Sequence, residues 1–393
     1  MSARRVNIVG VGVTKFAKPG QGEDYPTMVA HAVRSALRDA GVQYAAVQQS
    51  YAGYVFGEST TGQRALYGIG LTGAPIFNVN NACATGSTAL VLGRQAIESE
   101  SAECVLVVGF EEMEKGAIVF ESKRAANPLD RHIRVLSETQ EPSGAPLMAQ
   151  MFGGAGREYR AKYGTRKETF AKVAVKSRKH ASENPLALFT QPLTVEEVLA
   201  SDMIYDPLTR LQCCAPTCGA AAVVLASDAF AKKHGHSTPV YVAAQAMTTD
   251  YPTSFEKSLT RMVGYDMTVS AASKVYDQAG LGPEDVQVCE LHDCFTTNEV
   301  LSYEALGLCN EGEAERFISD GLNTYGGQVV TNPSGGLLSK GHPLGATGVA
   351  QCAELVWQLR GRAEKRQVAN AKVALQHNIG IGGACVVTMY RRE

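Results

Sequence analysis

The triplet Ala84-Thr85-Gly86 returns as Ala346-Thr347-Gly348, and Ala40-Gly41-Val42 is echoed by Ala279-Gly280-Leu281 in the same order along the chain. Ordered echoes of this kind point to an internal duplication, two similar halves whose corresponding helix starts can face each other across one cleft. The chain of 393 residues is too long for one ordinary core, which agrees with two or three structural units.

Each half alternates strands and helices. Val6 to Val11 is a nearly continuous apolar run, suited to a strand buried on both faces, and Tyr25 to Ala40 carries Met28, Val29, Ala32, Val33, Ala36 and Leu37 at helical spacing before Gly41 stops it. Further strands are expected at about 49–56, 104–110, 240–246, 286–291 and 385–390, with helices near 87–97 and 269–278. This alternation predicts an α/β fold with parallel or mixed sheets. Gly10 and Gly12 open like a dinucleotide fingerprint, but Lys15 stands at the third glycine position, which argues against a Rossmann site.

Residues 116–238 differ in character, with the polar stretch Glu121 to Arg134, an expected glycine-rich turn at Gly153-Gly154-Ala155-Gly156, and a basic helix around Lys167 to His180. They read as an inserted loop domain between an N-terminal half, 1–115, and a C-terminal half, 239–393. In the basic helix Lys172, Lys176, Arg178 and Lys179 could meet an anionic phosphate, although a charged helix face is commonly just solvated. Arg178 and Lys179 are the residues assigned to that phosphate.

The net charge of −2 gives no electrostatic reason to invoke nucleic acid or an anionic membrane as partner. No stretch approaches the 18 or so apolar residues of a membrane span. Ten cysteines in a long chain with no signal peptide read as reduced thiols in an intracellular compartment. That compartment is expected to be the cytoplasm of a bacterium, or a peroxisome or mitochondrion reached by a route the sequence does not display. Met1 to Arg5 is too short for a transit peptide, and Arg391-Arg392-Glu393 is not a peroxisomal tripeptide.

Cys83 follows Asn80, Asn81 and Ala82 and stands just before a helical pattern. The free amides and dipole of a helix start favour a thiolate, which predicts a titration below the free value of about 8.5. The alternative is a buried cysteine acting as a small hydrophobe. Glu290-Leu291-His292-Asp293-Cys294-Phe295 follows a strand, placing His292 and Cys294 at a carboxyl edge where open α/β sheets carry active groups. His342 lies in Gly341-His342-Pro343-Leu344-Gly345, whose glycines let backbone approach a ligand. His377 to Ala384 is expected to form a third loop before the last strand.

Together these segments resemble the thiolase superfamily, and within it the sterol carrier protein type. The resemblance runs over nearly the whole chain, from Gly10-Val-Gly-Val-Thr-Lys-Phe16 to Asn332-Pro-Ser-Gly-Gly-Leu-Leu-Ser-Lys-Gly-His-Pro-Leu-Gly-Ala-Thr-Gly348. The segment His292-Asp-Cys-Phe295 is its specific mark. Other thiolases carry Asn-Glu-Ala-Phe there and place a second cysteine in a late Cys-x-Gly loop, where this chain has His377-Asn378.

The resemblance implies a five-layered αβαβα fold with a loop domain over the site, assembled as a homodimer or homotetramer. It implies cleavage of 3-ketoacyl-CoA by CoA, with CoA as substrate, no permanently bound cofactor and no metal. The products are a shortened acyl-CoA and acetyl-CoA, or propionyl-CoA from a 2-methyl-branched substrate. Cys83 matches the nucleophile, His342 the histidine that activates it, Cys294 the acid/base cysteine, and His292 the group that helps hold the thioester oxygen. The backbone amides of Cys83 and Gly383 are implied for the other oxyanion hole, with Met151, Phe152 and His377 bordering the acyl-CoA. Bond cleavage between C2 and C3 needs a nucleophile, stabilisation of two oxygens and a proton donor, which this set supplies.

The type usually reads Cys-Cys-Pro-Thr-Ser-Asp-Gly-Ala-Ala where this chain has Cys213-Cys-Ala-Pro-Thr-Cys-Gly-Ala-Ala221, so an acidic residue gives way to Cys218. No lipid-binding carrier domain follows, so lipid transfer is not expected. A decarboxylating synthase typically keeps one cysteine and two histidines, so Cys294 argues against it. The steroid side-chain retro-aldolases of this group lack the nucleophilic cysteine, so Cys83 argues against them. A non-enzymatic acyl-CoA or lipid-binding module would not need these residues.

Overall fold

In the computed structural model the described residues are 4–116, 126–141, 143–237 and 239–392. Residues 121–125 of the polar stretch therefore lie outside them.

The first half runs β1 (Val6–Val13), α1 (Tyr25–Ala40), β2 (Gln49–Gly53), α2 (Thr61–Tyr67), β3 (Ile76–Val79), α3 (Thr85–Glu98) and β4 (Cys104–Glu111). The intervening segment holds α4 (Asp130–Thr139), α5 (Leu147–Tyr163), α6 (Lys167–Ala181), α7 (Val195–Ala200) and the short pair β5 (Met203–Tyr205) and β6 (Leu208–Thr209). β7 (Gly219–Ser227) and α8 (Asp228–Lys233) follow. The second half has β8 (Val240–Thr248), α9 (Leu259–Met262), α10 (Tyr265–Ala279), β9 (Val288–Glu290) and α11 (Thr296–Ala305). It continues through α12 (Ala314–Ser319), β10 (Val330–Thr331), α13 (Gly336–Ser339), α14 (Thr347–Arg360), β11 (Val373–Gly380) and β12 (Ala384–Arg391).

The main strands form the order β10-β9-β11-β12-β8-β1-β7-β4-β2-β3. Read outward from the β1/β8 junction, both sides are the same: two antiparallel pairings, then two parallel ones. The repeat predicted by the echoed triplets is thus a repeat of topology. At the junction only Asn7 with Tyr241 and Ile8 with Val240 are paired, so this is a narrow seam between two five-stranded halves.

Alternating side chains assign the layers. Val105, Val107, Val223 and Leu225 face a core shared with Leu90, Ile97, Val349, Cys352, Leu355 and Ala374. Their neighbours Cys104, Leu106, Ala222 and Val224 face α1 on the other side. Leu375, Val387 and Met389 face an outer core with Met267, Ala271 and Val275 of α10. Helices α3 and α14 therefore lie between the two half-sheets, and the order is α, β, α, β, α.

Gly10 and Gly12 serve packing rather than a nucleotide: a Cβ at either would lie 2.1 Å from Ala36 O or 2.3 Å from Ala32 O on α1. The glycine-rich stretch 153–156 is not a turn but the middle of α5, where Gly153 and Gly156 admit Tyr205 and Thr297 to close contact. Within 116–238, β7 sits in the main sheet between β1 and β4, so the chain is back in the first half-sheet by Gly219. Of the helices before it, α5 and α6 pack against α11, and α4, α5 and α6 share the outer core of the second half.

Candidate active site

Cys83 stands on a tight turn immediately before α3. Ala82 has φ of 49°, a left-handed conformation costly for a residue with a Cβ, and the surrounding polar side chains hold it. Asn80 Oδ1 accepts from the Ala82 amide at 3.1 Å; Thr85 Oγ1 accepts from the Asn81 amide at 2.8 Å and donates to Ala82 O at 2.6 Å. Gly380 backs this turn: a Cβ there would lie 2.3 Å from Asn81 O and 3.2 Å from the Cys83 amide nitrogen.

The two triplets meet as the duplication implies. A Cβ at Gly86 would lie 2.7 Å from Gly345 O, and one at Gly348 would lie 2.2 Å from Ser87 Oγ, so α3 and α14 start against each other at a pair of glycines. This brings His342, on the loop before α14, to Cys83. The His342 amide donates to Thr217 Oγ1 at 3.2 Å, and its Nδ1 meets Thr347 Oγ1 at 2.7 Å. His292 and Cys294 follow β9; the Cys294 carbonyl accepts from the Cys214 amide at 2.9 Å. The Cys213–Thr217 segment is thus a strap, bridging to Phe295 at one end and to His342 at the other.

Ligating atoms of Cys83, His292 and His342 lie within 4.8 Å of one another, and the two imidazoles meet edge to face with centroids 5.1 Å apart. These three and Cys294 line one cleft of about 940 Å³, together with Phe56, Met148, Phe152, Cys214, Leu344 and 379–384. Its size and mostly apolar lining suit an acyl chain with a few convergent polar groups.

The resting electrostatics differ from the sequence expectation. Burial, and secondarily the Glu111 carboxyl, push the Cys83 thiol up to about 12, outweighing the helix start. Burial, with Lys340 adding to it, lowers His342 to about 3. Burial also holds Cys294 well above the usual thiol range, with Cys214 and Cys83 contributing in the same direction. The site at rest is therefore a set of neutral groups, and a thiolate at Cys83 arises only as its proton leaves for a neighbour.

Phe152 lines the cleft and stacks on Phe295 at 4.9 Å between centroids, but Met151 does not line it. Met151 is fully buried in the outer core, and Met148, one helical turn before Phe152 and on the same face, takes the expected place. His377 is on β11 rather than in a loop and is fully buried, with Nδ1 toward the His292 amide at 3.5 Å and Nε2 on Thr268 Oγ1 at 3.0 Å. Both ring nitrogens face protein, so it supports the site from behind. Gly383 lines the cleft with φ of 103°, in a loop reduced to 381–383.

The cationic face of α6 is largely engaged. Lys176 is buried in an ion pair with Glu299, Lys172 bonds Ser319, and Arg178 lies over the Phe189 ring at 4.6 Å. Lys179 is exposed. Neither Arg178 nor Lys179 lines the cleft. Cys218 does not line the cleft: its sulfur accepts from the Met113 amide at 3.2 Å, fastening the start of β7 to the chain after β4.

Besides Met148, three polar residues that hold the site escaped the sequence reading. Glu111, at the end of β4, accepts from the amides of Val55, Phe56 and Gly345, joining loops of both halves. Thr347 and Asn378 hold the two imidazoles. Asn378 lies beside a histidine already singled out, but only the fold turns its amide toward His292.

The thiolase N-terminal domain family matches residues 6–229, and the thiolase C-terminal domain-like family matches 253–390. Human sterol carrier protein 2 is 56% identical over 393 residues, covering 99% of this chain and 72% of that protein. A solved Ltp2-ChsH2(DUF35) aldolase superposes with a TM-score of 0.84 at 26% identity, covering 98% of this chain and 97% of its own. Human mitochondrial 3-ketoacyl-CoA thiolase superposes with a TM-score of 0.75 at 20% identity over 100% of this chain and 99% of its own, which shows a common fold.

Proposed function

Since this chain belongs to the thiolase family, we propose that it cleaves 3-ketoacyl-CoA with CoA through an acyl-enzyme on Cys83. The observation that carries this reading is the convergence of Cys83, Cys294, His292 and His342 in one apolar cleft. In the first half-reaction His342 takes the Cys83 proton, the sulfur bonds to C3, and the C2–C3 bond breaks. The electron pair passes to the thioester enolate, and Cys294 delivers a proton to C2. In the second, CoA gives its thiol proton to the Cys294 thiolate, its sulfur displaces Cys83 from the acyl group, and His342 returns its proton to the departing Cys83 sulfur.

Two oxygens gain charge along this path. The C3 oxygen is assigned to the amides of Cys83 and Gly383, and the thioester oxygen to the His292 N–H. Met148 and Phe152 border the acyl chain. Burial keeps the Cys294 thiol protonated at rest, so the proton that C2 needs is already in the cleft.

The likeness to the aldolase favours a second reading, retro-aldol cleavage, in which a covalent cysteine has no part. One experiment separates the two. Mass spectrometry after mixing with 3-ketoacyl-CoA, without free CoA, should show acylation at Cys83, and thiolysis across straight, branched and steroid 3-ketoacyl-CoA substrates should follow. Cleavage of the matching 3-hydroxyacyl-CoA to a carbonyl compound and an acyl-CoA, with no Cys83 adduct and no thiolysis of the 3-keto substrates, would favour the aldolase.

A further inference from the structure

We propose that Ser87 and Asn378 are positioning residues that fix the tautomer of His292, so that its Nε2–H faces the cleft. One group in the network around His292 has a single possible role. The Gly348 carbonyl can only accept, so the side-chain atom of Gln376 at 2.7 Å from it is the amide nitrogen. The other end of that amide is then the oxygen, and the Tyr390 hydroxyl donates to it at 2.5 Å. The same Gln376 nitrogen is 2.9 Å from Ser87 Oγ. An amide nitrogen cannot accept, so Ser87 accepts there and keeps its own hydrogen for the Asn378 side chain at 2.8 Å.

That hydrogen identifies the Asn378 atom as Oδ1, which leaves Nδ2 pointing at His292 Nδ1 at 2.9 Å. An NH₂ group donates, so Nδ1 of His292 offers a lone pair. Burial, with His342 and His377 nearby, holds the ring neutral, and its single proton is on Nε2. His342 is set the opposite way. The Thr347 hydroxyl donates to Pro343 O at 3.0 Å and therefore accepts from His342 Nδ1–H, leaving Nε2 as a lone pair with no hydrogen-bond partner among the described residues.

Two adjacent imidazoles are thus locked in opposite tautomers, one donor and one acceptor. A donor is what an enolate oxygen needs, and an acceptor is what a thiol proton needs. The same lock bears on metals, because His292 presents N–H rather than a lone pair and leaves the Cys83 trio two donor atoms instead of three. Ser87 belongs to the first half of the chain and His292 to the second, so the lock crosses the junction.

The assignment of a step to this donor rests on the thiolase reading; the tautomer does not. Long-range ¹H–¹⁵N spectra of the ¹⁵N-histidine-labelled full chain, with His292 assigned through a variant, should show Nε2–H and an unprotonated Nδ1. Asn378→Asp presents an acceptor to Nδ1 and should move the proton there, with kcat down on the order of 10²-fold and KM little changed. Ser87→Ala frees the amide to turn and should give a mixture of tautomers with a smaller kcat loss. An Nδ1–H form of His292 in the unaltered protein, or an Asn378→Asp protein that keeps Nε2–H and its kcat, would overturn the proposal. Absence of thiolysis alongside the Nε2–H spectrum would instead remove the thiolase reading and leave the lock standing.

Discussion

A ring nitrogen of His342 lies within 4.8 Å of the Cys83 sulfur, and the two groups are driven toward neutrality from opposite sides, the thiol up to about 12 and the imidazole down to about 3. Below the thiol value the thiolate fraction grows about tenfold per pH unit. Iodoacetamide should therefore label Cys83 at a rate that climbs steadily from pH 7 to 9, with bound acyl-CoA protecting it. Peptide mapping that finds a plateau near pH 7 would indicate a standing thiolate–imidazolium pair instead.

Cys294→Ala should still form an acyl-enzyme from a reactive thioester. It should lose about two to four orders of magnitude in thiolysis, the usual range for removing an acid/base group. Near-normal thiolysis by this variant would assign the proton transfer elsewhere and reopen a synthase reading.

Gly380→Ala tests the support behind the nucleophile. The added Cβ would meet backbone at Asn81 and Ala84 rather than a yielding side chain. Overpacking of this kind costs about 1–3 kcal/mol, read as a lower urea midpoint, and the displaced turn should lower kcat as well. Equal stability and kcat would show that the turn has slack.

Acid should destabilise the protein through its buried histidines. His342 and His377 are both lowered to about 3 by burial, against about 6.5 in an unfolded chain, so between these values the unfolded state binds more protons and stability is lost as the pH is lowered. Glu111 acts in the opposite sense, because burial raises it from 4.5 to about 7. The urea midpoint should therefore drop most steeply below about pH 4.5, where that opposition ends. A midpoint flat from pH 7 to 3 would contradict the neutral-histidine assignment.

Replacing Arg178 and Lys179 with alanine examines the proposed contact with CoA phosphates. KM for CoA should rise about tenfold, roughly 1.4 kcal/mol, with kcat little changed. An unchanged KM would make the pair ordinary solvated charge, in keeping with their position outside the cleft.

The duplication, the alternation of strands and helices and the four converging side chains were legible because each has a local signature: repeated triplets, apolar runs of two periods, a cysteine before a helix, histidines beside glycines; the layers followed only from the family resemblance. What escaped depends on contacts between distant segments. Met148 rather than Met151 reaches the cleft because the rotation of α5 is set by its packing on α9 and α11, which helical periodicity alone does not orient. Gly153 and Gly156 looked like a turn because glycine is permissive, yet here they admit neighbours to a helix face. The helix start that favours a thiolate at Cys83 is visible in sequence, while the desolvation and Glu111 that push the thiol the other way are not.

The hydrogen bond between Ser87 and Asn378 joins residues 291 positions apart. Closing so long a segment is slow relative to forming local turns, and a chain made from its amino end cannot close it before residue 378 has been synthesised. Catalytic competence should accordingly be among the last properties acquired during refolding, appearing after most helical signal has returned. Until then Cys83 is an ordinary thiol, without the neighbours that give it either its reactivity or its protection.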